Sequence, residues 1–185
     1  NIHRNCHQHI SSSVFFHKKI DAHWILSNMA ATPLVVEGVQ FNSSEHLFQT
    51  MKFCTEDSIN AVYRSHSPKM TAKHYQKLGG HRREDWGNII IDVMKFCLQM
   101  KYEQYSEFRH ELGFTCGYNI VELQDAKNDK ESSRPNAWGV KTKGSNYVGP
   151  NIMGRLLMEL RDNGKLDYNL PDDIFDSFHY LQHLP

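Results

Sequence analysis

The longest amphipathic segment of this sequence constrains its fold more than any other feature. From Glu84 to Tyr102, apolar residues recur at spacings of three, four and seven, which places them on one face of an α-helix. The residues on that face are Trp86, Ile89, Ile90, Val93, Met94, Cys97 and Met100. The spacing therefore predicts a long helix that buries one face.

Shorter signals predict the elements around this helix. Apolar runs predict strands at Val14–Phe16 and Ile120–Leu123, and a hairpin in which Glu37-Gly38 joins two strands. Capping residues and prolines predict four further helices, which begin at Ser43 or Ser44, at Ser67-Pro68, at Pro150 and near Pro171. The pattern as a whole predicts a single, helix-dominated α+β domain with a small, mostly antiparallel sheet.

The composition excludes several classes of protein. In 185 residues, 21 basic and 21 acidic side chains give a formal net charge of zero, which argues against a strongly basic protein that coats nucleic acid. No apolar run approaches the length of a transmembrane helix, and no secretory signal is evident. The four cysteines are scattered without a C-x-x-C pair, which predicts independent, reduced thiols. We therefore expect a cytoplasmic protein.

Histidine is the compositional outlier, with 12 copies. His46 and Gln49 share a predicted helix face, but a metal site needs a further ligand nearby, and none is evident in the sequence. The polar, His-rich residues 1–13 are interpreted as a flexible lead-in. We therefore expect neither a metal nor another cofactor.

The zero net charge conceals an uneven distribution. Between Arg64 and Arg83 the chain has six basic residues and no acidic one, whereas Glu159–Asp176 has six carboxylates against two basic residues. A basic stretch is usually a solvated helix face. Arg82-Arg83, just before the long helix, is the part of this stretch that is best suited to bind a phosphate.

Three polar segments contain residue types that recur in active sites. Glu45 lies in the first turn of a predicted helix that a serine pair already caps, so it either adds to the cap or has a second role. Trp138-Gly139 either stacks on a ring of a ligand or fills the core beneath a loop. Gly144–Gly154 either cradles an anion or only begins a helix at Pro150. The residues alone leave these alternatives open.

Taken together in order, these segments resemble the NADAR family, which includes the YbiA-type N-glycosidases. The shared patterns are S-S-E-H-x-F-Q-x-x-K-F from Ser43 to Phe53, R-x-x-W from Arg83 to Trp86, W-G at Trp138-Gly139 and N-x-x-G-x-L-L-M-E-L-R from Asn151 to Arg161. The resemblance implies a NADAR-like catalytic domain over residues 14–163. A C-terminal helical extension over residues 164–185 is expected to pack on it.

The resemblance implies hydrolysis of the C1′–N bond between a ribose that carries phosphate and a nitrogen base. A carboxylate near C1′ stabilises the oxocarbenium-like transition state and deprotonates the attacking water, and Glu45 is the candidate for this role. The residues expected to bind substrate are Phe16, Asn28, Lys52, Arg82, Arg83, Trp86, Trp138, Gly139, Asn151 and Gly154. No metal or redox cofactor is implied.

The family includes two substrate classes, which are ADP-ribose attached to guanine in DNA and early phosphoribosyl intermediates of riboflavin synthesis. After Trp138-Gly139, YbiA-type members commonly continue with an acidic residue and a glycine pair, whereas this chain has Val140-Lys141-Thr142-Lys143-Gly144. Two lysines suit a polyanion, so this departure favours ADP-ribosyl-guanine, with a DNA-modifying ADP-ribosyltransferase toxin as counterpart. The riboflavin intermediates are the alternative substrate. A non-catalytic module that binds ADP-ribose or NAD is the alternative from another class.

Overall fold

The chain forms two compact units, each built from separated segments. The computed structural model describes residues 12–124, 137–143 and 145–182, without the side chain of Lys143. The first unit comprises the described parts of Asn1–Ala30 and Ser106–Leu166, and the second comprises those of Ala31–Tyr105 and Asp167–Pro185. Most of the predicted lead-in lies outside the described residues, and the predicted boundary at residue 163 stays a prediction.

The described chain contains short strands and longer helices, with the first five α-helices in succession. The strands are β1 (Ser12–Phe16), β2 (Leu34–Val36), β3 (Val39–Phe41), β4 (Tyr118–Glu122), β5 (Lys141–Lys143) and β6 (Asn146–Val148). The α-helices are α1 (Ser44–Met51), α2 (Glu56–Tyr63), α3 (Pro68–Leu78), α4 (Trp86–Gln104), α5 (Ser106–Phe114) and α6 (Ile152–Asn163). Two short 3-10 helices lie at Trp24–Leu26 and Asp176–Tyr180.

The described strands pair into three separate two-stranded sheets. β1 and β4 are parallel, whereas β2 pairs with β3, and β5 with β6, in antiparallel hairpins. The predicted helix-dominated α+β class with a small, mostly antiparallel sheet is therefore confirmed. The prediction did not foresee that the strands form separate pairs rather than one sheet.

The β2–β3 hairpin follows directly from its sequence. Its two turn residues, Glu37 and Gly38, have φ values of 50° and 74°, the left-handed conformation that a tight two-residue turn requires. Alternate side chains of the strands point into the core of the second unit, because successive residues of a strand face opposite sides. The buried residues are Leu34, Val36, Val39 and Phe41.

Helix α1 is positioned by its cap and by its neighbours in the second unit. The Ser43 hydroxyl accepts the backbone N–H of His46 at 3.1 Å, which satisfies one of the unpaired donors at the helix start. α1 packs against α2, α3 and α4. The long helix α4 forms as predicted, and five of the seven residues of its predicted apolar face are buried, whereas Ile90 and Met100 are half-buried. Its second half also buries Phe96, Leu98, Gln99 and Lys101.

The helix boundaries differ from the predicted ones in three places. α6 begins at Ile152 after Asn151, so Pro150 precedes the helix rather than opening it. The segment after Pro171 forms only the short 3-10 helix Asp176–Tyr180 instead of an amphipathic α-helix. It is anchored by aromatic packing, with the rings of Phe178 and Phe41 5.4 Å apart. α2 was not predicted, because its short buried face leaves too few apolar positions to establish a period.

The cysteines differ from expectation at one position. Cys54 and Cys97 are free thiols, but Cys116 is disulfide-bonded, so the expectation of four independent thiols is wrong there. Disulfides persist mainly in oxidising compartments, and the cytoplasmic expectation therefore loses one of its supports. Within the described ranges, no helix has both the length and the apolar character needed to cross a membrane.

Candidate active site

Glu45 lies in the first turn of α1 and is half-buried. Because Ser43 already caps the helix, the carboxylate is not needed for that purpose. Its Oε1 accepts a hydrogen bond from Nε2 of Gln49, one turn further along the helix, at 2.9 Å. The carboxylate is therefore held in place by its own helix.

One face of α1 brings three of the predicted site residues together. Glu45, Phe48, Gln49 and Lys52 follow the spacing i, i+3, i+4 and i+7, which aligns them on one side of a helix. Trp86, at the start of α4, packs on Phe48 with ring centroids 5.2 Å apart. The Lys52 Nζ lies 6.0 Å from the Trp86 ring. Trp86 is only 3% exposed, so its place suits an apolar wall of the face better than a stacking platform.

A short backbone link explains why Trp86 reaches this face. The N–H of Cys54 donates to the carbonyl of His81 at 3.0 Å, and the N–H of Arg83 donates to the carbonyl of Lys52 at 3.1 Å. These two bonds join the end of α1 to the segment that precedes α4. The first turn of α4 is thereby fixed beside the last turn of α1.

The charges on this face influence one another. Burial lowers the pKa of Lys52, the cation of Arg82 lowers it further, and the carboxylate of Glu45 opposes both. The ammonium group donates to Oε1 of Gln76 on α3 at 2.6 Å. On α4, burial raises the pKa of the Cys97 thiol, and the negative charge of Glu45 adds to the effect. Glu45 thus acts electrostatically on both the cationic end of the face and the helix behind it.

Arg83 has a structural role in this unit. Its guanidinium donates to both carboxylate oxygens of Asp85, at 2.9 and 2.8 Å, and to Asp173 at 2.8 Å. The hydrogen bonds with Asp85, followed by those with Asp173, hold the pKa of Arg83 above its usual range. This side chain ties the C-terminal segment to the start of α4. Its predicted contact with a phosphate stays a prediction, whereas Arg82 beside it is exposed.

His46 also serves the fold. Its Nδ1 accepts the N–H of Asn42 at 3.1 Å, and its Nε2 lies 2.8 Å from the carbonyl of Tyr63. Burial lowers the pKa of His46, which favours the neutral ring that this pair of contacts requires. In the parts of the chain that the structure describes, no group of three or more His, Cys, Asp or Glu side chains is arranged to hold a metal ion.

Six of the predicted substrate-binding residues lie in the first unit. Asn151 has a φ of 49°, and its side chain accepts the N–H of Glu122 at 3.1 Å and donates to the carbonyl of Ile120 at 2.8 Å. A Cβ on Gly154 would lie 2.0 Å from the same Ile120 carbonyl oxygen. Asn151 and Gly154 therefore allow α6 to pack directly on β4.

The other four residues are also tightly integrated into the first unit. Phe16 and Asn28 are buried, and a Cβ on Gly139 would lie 2.6 Å from the carbonyl oxygen of Glu122. Trp138 is half-buried, and its carbonyl accepts the N–H of Met153 at 2.9 Å. For all six residues of this unit, contact with substrate stays a prediction.

Gln49 is the residue of this site that the sequence analysis left without a functional role. Its side chain is buried, bonded to Glu45, and on the same helix face as Lys52. The sequence feature that could have identified Gln49 is its position four residues after Glu45, because side chains with this spacing are neighbours on a helix. The spacing identifies Glu45 and Gln49 as neighbours, but it does not show which of their atoms lack a hydrogen-bond partner.

Comparison with known proteins identifies the family. The sequence matches the NADAR domain over residues 14–163. It is 33% identical to the N-glycosidase YbiA of Shigella boydii over 157 residues, which cover 84% of this chain and 91% of that protein. Identity to the Escherichia coli N-glycosidase YbiA is 32% over the same shares. A riboflavin biosynthesis protein of Vibrio vulnificus is 26% identical over 149 residues, which cover 80% of this chain but 38% of that protein.

The fold agrees with this result. The NMR structure of E. coli YbiA matches the present structure with a TM-score of 0.63 at 28% identity, over 100% of this chain and 98% of that one. The family match spans most of the sequence, and the expected resemblance is thereby confirmed. The chain therefore belongs to the NADAR family and is a hydrolase of the N-glycosidase type.

Proposed function

We propose that this protein hydrolyses the C1′–N bond of ADP-ribose attached to guanine in DNA. The observation that carries the proposal is the face of α1, which has Glu45 at one end and Lys52 at the other. Seven residues of helix separate them by about 10 Å along the axis. A carboxylate and a cation at that separation suit a ribose and its attached phosphate.

The chemistry assigns distinct roles to these groups. Breaking C1′–N develops positive charge on the ribose ring, and a fixed carboxylate stabilises that charge while it removes a proton from water. Glu45 has this role in our proposal. Lys52 binds the phosphate nearest the ribose, with Arg82 beside it, and the packed rings of Phe48 and Trp86 limit the access of solvent.

Helix α3 supports a substrate that is carried on DNA. Lys69, Lys73 and Lys77 are exposed and are spaced four residues apart, which is a rise of about 6 Å per step. The same helix carries Gln76, which accepts the hydrogen bond from Lys52. A row of cations that leads to the candidate site suits successive phosphates of a strand. An ADP-ribosyltransferase that modifies guanine in DNA is the counterpart that this activity requires.

The test compares DNA-borne substrate with a free nucleoside. In the triple variant Lys69→Gln, Lys73→Gln and Lys77→Gln, kcat/KM on ADP-ribosylated oligonucleotide should fall. The slope of log affinity against log salt should become shallower by about 0.9 for each lysine that contacts a phosphate. Activity on ADP-ribosyl-guanosine should not change, since this substrate lacks the neighbouring DNA phosphates that the three lysines would bind.

A matched control removes the same number of charges from the other unit, in the variant Lys18→Gln, Lys19→Gln and Lys165→Gln. All three lysines are exposed, so packing is preserved. Equal losses of kcat/KM in the two triple variants would show that the lysines of α3 do not bind the DNA. Absence of turnover on both guanine substrates would contradict the proposed substrate itself.

The alternative substrate is an early phosphoribosyl intermediate of riboflavin synthesis. It is favoured by the name of the Vibrio vulnificus relative, which is a riboflavin biosynthesis protein. Such a small substrate does not need α3, so its turnover should be insensitive to the triple lysine variant. A non-catalytic module that binds ADP-ribose would instead bind ADP-ribosyl-guanosine and release neither guanosine nor ADP-ribose.

A further inference from the structure

The Gln49 side chain presents a buried acceptor that has no partner. The residue is 8% exposed, and its Nε2 is bonded to Glu45. Its Oε1 is shielded from solvent and has no hydrogen-bond partner among the described residues. A buried acceptor left in this state is unfavourable, so a further donor is expected there.

The orientation of the Gln49 amide is fixed by its neighbour. An ionised carboxylate only accepts hydrogen bonds, so the NH₂ end of the amide must face Glu45. The carbonyl end then points away from that bond while it remains beside the carboxylate. Glu45 and Gln49 therefore present two acceptors next to each other at one point of the α1 face.

We propose that Gln49 holds the attacking water of the N-glycosidase reaction. The inference rests on the proposed function and on Glu45 as the general base. One water has two O–H donors, which match the two acceptors, whereas a substrate hydroxyl has only one. With one O–H on Glu45 and the other on the Gln49 carbonyl, the water directs a lone pair towards C1′.

The step balances as a hydrolysis. A bond forms from the water oxygen to C1′ while the C1′–N bond breaks, and the bonding pair leaves with the base nitrogen. One water proton passes to Glu45 and from there to the departing base. The other stays on the new C1′ hydroxyl, which remains bonded to Gln49 until the sugar leaves.

The decisive variant is Gln49→Met, which preserves side-chain volume and removes both the donor and the acceptor. On ADP-ribosyl-guanosine its kcat should fall about tenfold, as expected when one hydrogen bond to the attacking water is lost, with KM little changed. Added methanol gives a sharper readout, because methanol has one O–H and its methyl group faces the Gln49 carbonyl. The wild type should disfavour methanolysis, and the ratio of methanolysis to hydrolysis should rise several-fold in the variant.

The matched control is Gln99→Met on α4. Gln99 is equally buried and donates to Glu103 with the same four-residue spacing, at 2.8 Å. It should leave the partition unchanged. If Gln49→Met melts below the assay temperature, Gln49→Asn serves instead, because it withdraws the carbonyl by one methylene.

Different results would contradict the role of Gln49 and the proposed N-glycosidase function. An unchanged methanol partition, or a loss confined to KM as expected for a bond to a substrate hydroxyl, would overturn the role of Gln49. Full activity of Glu45→Gln, or no guanosine release by the wild type, would overturn the proposed function instead.

Discussion

At the scale of single residues, Lys52 predicts a pH dependence. Burial lowers its pKa, and Arg82 lowers it further. In the role proposed for Lys52 as a phosphate ligand, its positive charge is lost at a lower pH than that of an ordinary lysine, so kcat/KM should decline on the alkaline side from that lowered pKa upward. In Lys52→Arg the charge persists, and the alkaline decline should move to higher pH. The same alkaline limb in both proteins would show that Lys52 does not bind substrate as a cation.

Lys101 makes a separate prediction about stability. It is fully buried on α4, and burial lowers its pKa to about 7, from 10.5 in the unfolded chain. Between these values the unfolded chain binds more protons, so stability increases with pH, by at most about 1.4 kcal/mol per unit. Below pH 7 both states are protonated, and this residue adds no further dependence.

Urea unfolding of Lys101→Met checks this expectation. The variant should be more stable than the wild type at pH 7, and its advantage should shrink by pH 9, because only the wild type gains stability over that range. Parallel pH dependences in the two proteins would contradict it.

The sequence predicted these single residues unevenly. Glu45 stood out because a carboxylate beside a complete serine cap is a local pattern, and the family resemblance then made it the candidate catalytic residue. The role of Arg83 depends on Asp173, ninety positions away, which no local pattern shows. Gln49 lies between these cases, since its spacing from Glu45 is visible in the sequence but its unpartnered carbonyl oxygen is visible only after folding.

At the scale of elements, the close packing of α6 on β4 requires a glycine at position 154. A methyl group there meets the Ile120 carbonyl oxygen and the Asn151 side chain, so Gly154→Ala must push the helix from the strand. Such overpacking costs about 1–3 kcal/mol. Gly113→Ala on α5 is the control, because an added methyl group there would meet no other described element within 4 Å and alanine favours helix. Thermal unfolding should rank the proteins Gly113→Ala, wild type, Gly154→Ala, and equal melting temperatures for the two variants would refute this packing.

Elements with a long, regular period were predicted better than short ones. α4 has enough turns for the spacing of its apolar residues to predict a helix, and two adjacent turn residues predict the β2–β3 hairpin. The start of α6 was misplaced, because the left-handed Asn151 is stabilised by hydrogen bonds to β4 rather than by neighbours in sequence. The segment after Pro171 is held by ring packing in place of a helix ladder, which an apolar period does not reveal.

At the scale of the whole molecule, the family motifs predicted the class of enzyme, whereas composition did not indicate it. Zero net charge averages over the basic α3 and an acidic C-terminal region. Twelve histidines suggested metal chemistry, yet His46, the one inside a motif, is bonded to backbone groups. The parallel pairing of β1 with β4 joins segments about a hundred residues apart, and local patterns do not specify such a register.

The central claim is that a carboxylate on α1 drives N-glycoside hydrolysis, and guanosine release from ADP-ribosyl-guanosine tests it most directly. The wild type should release guanosine and ADP-ribose in equal amounts. Glu45→Gln keeps the shape of the side chain and its packing, so it should still bind ADP-ribose in calorimetry. Its turnover should fall by at least about 10²-fold. Full turnover by Glu45→Gln would contradict the account.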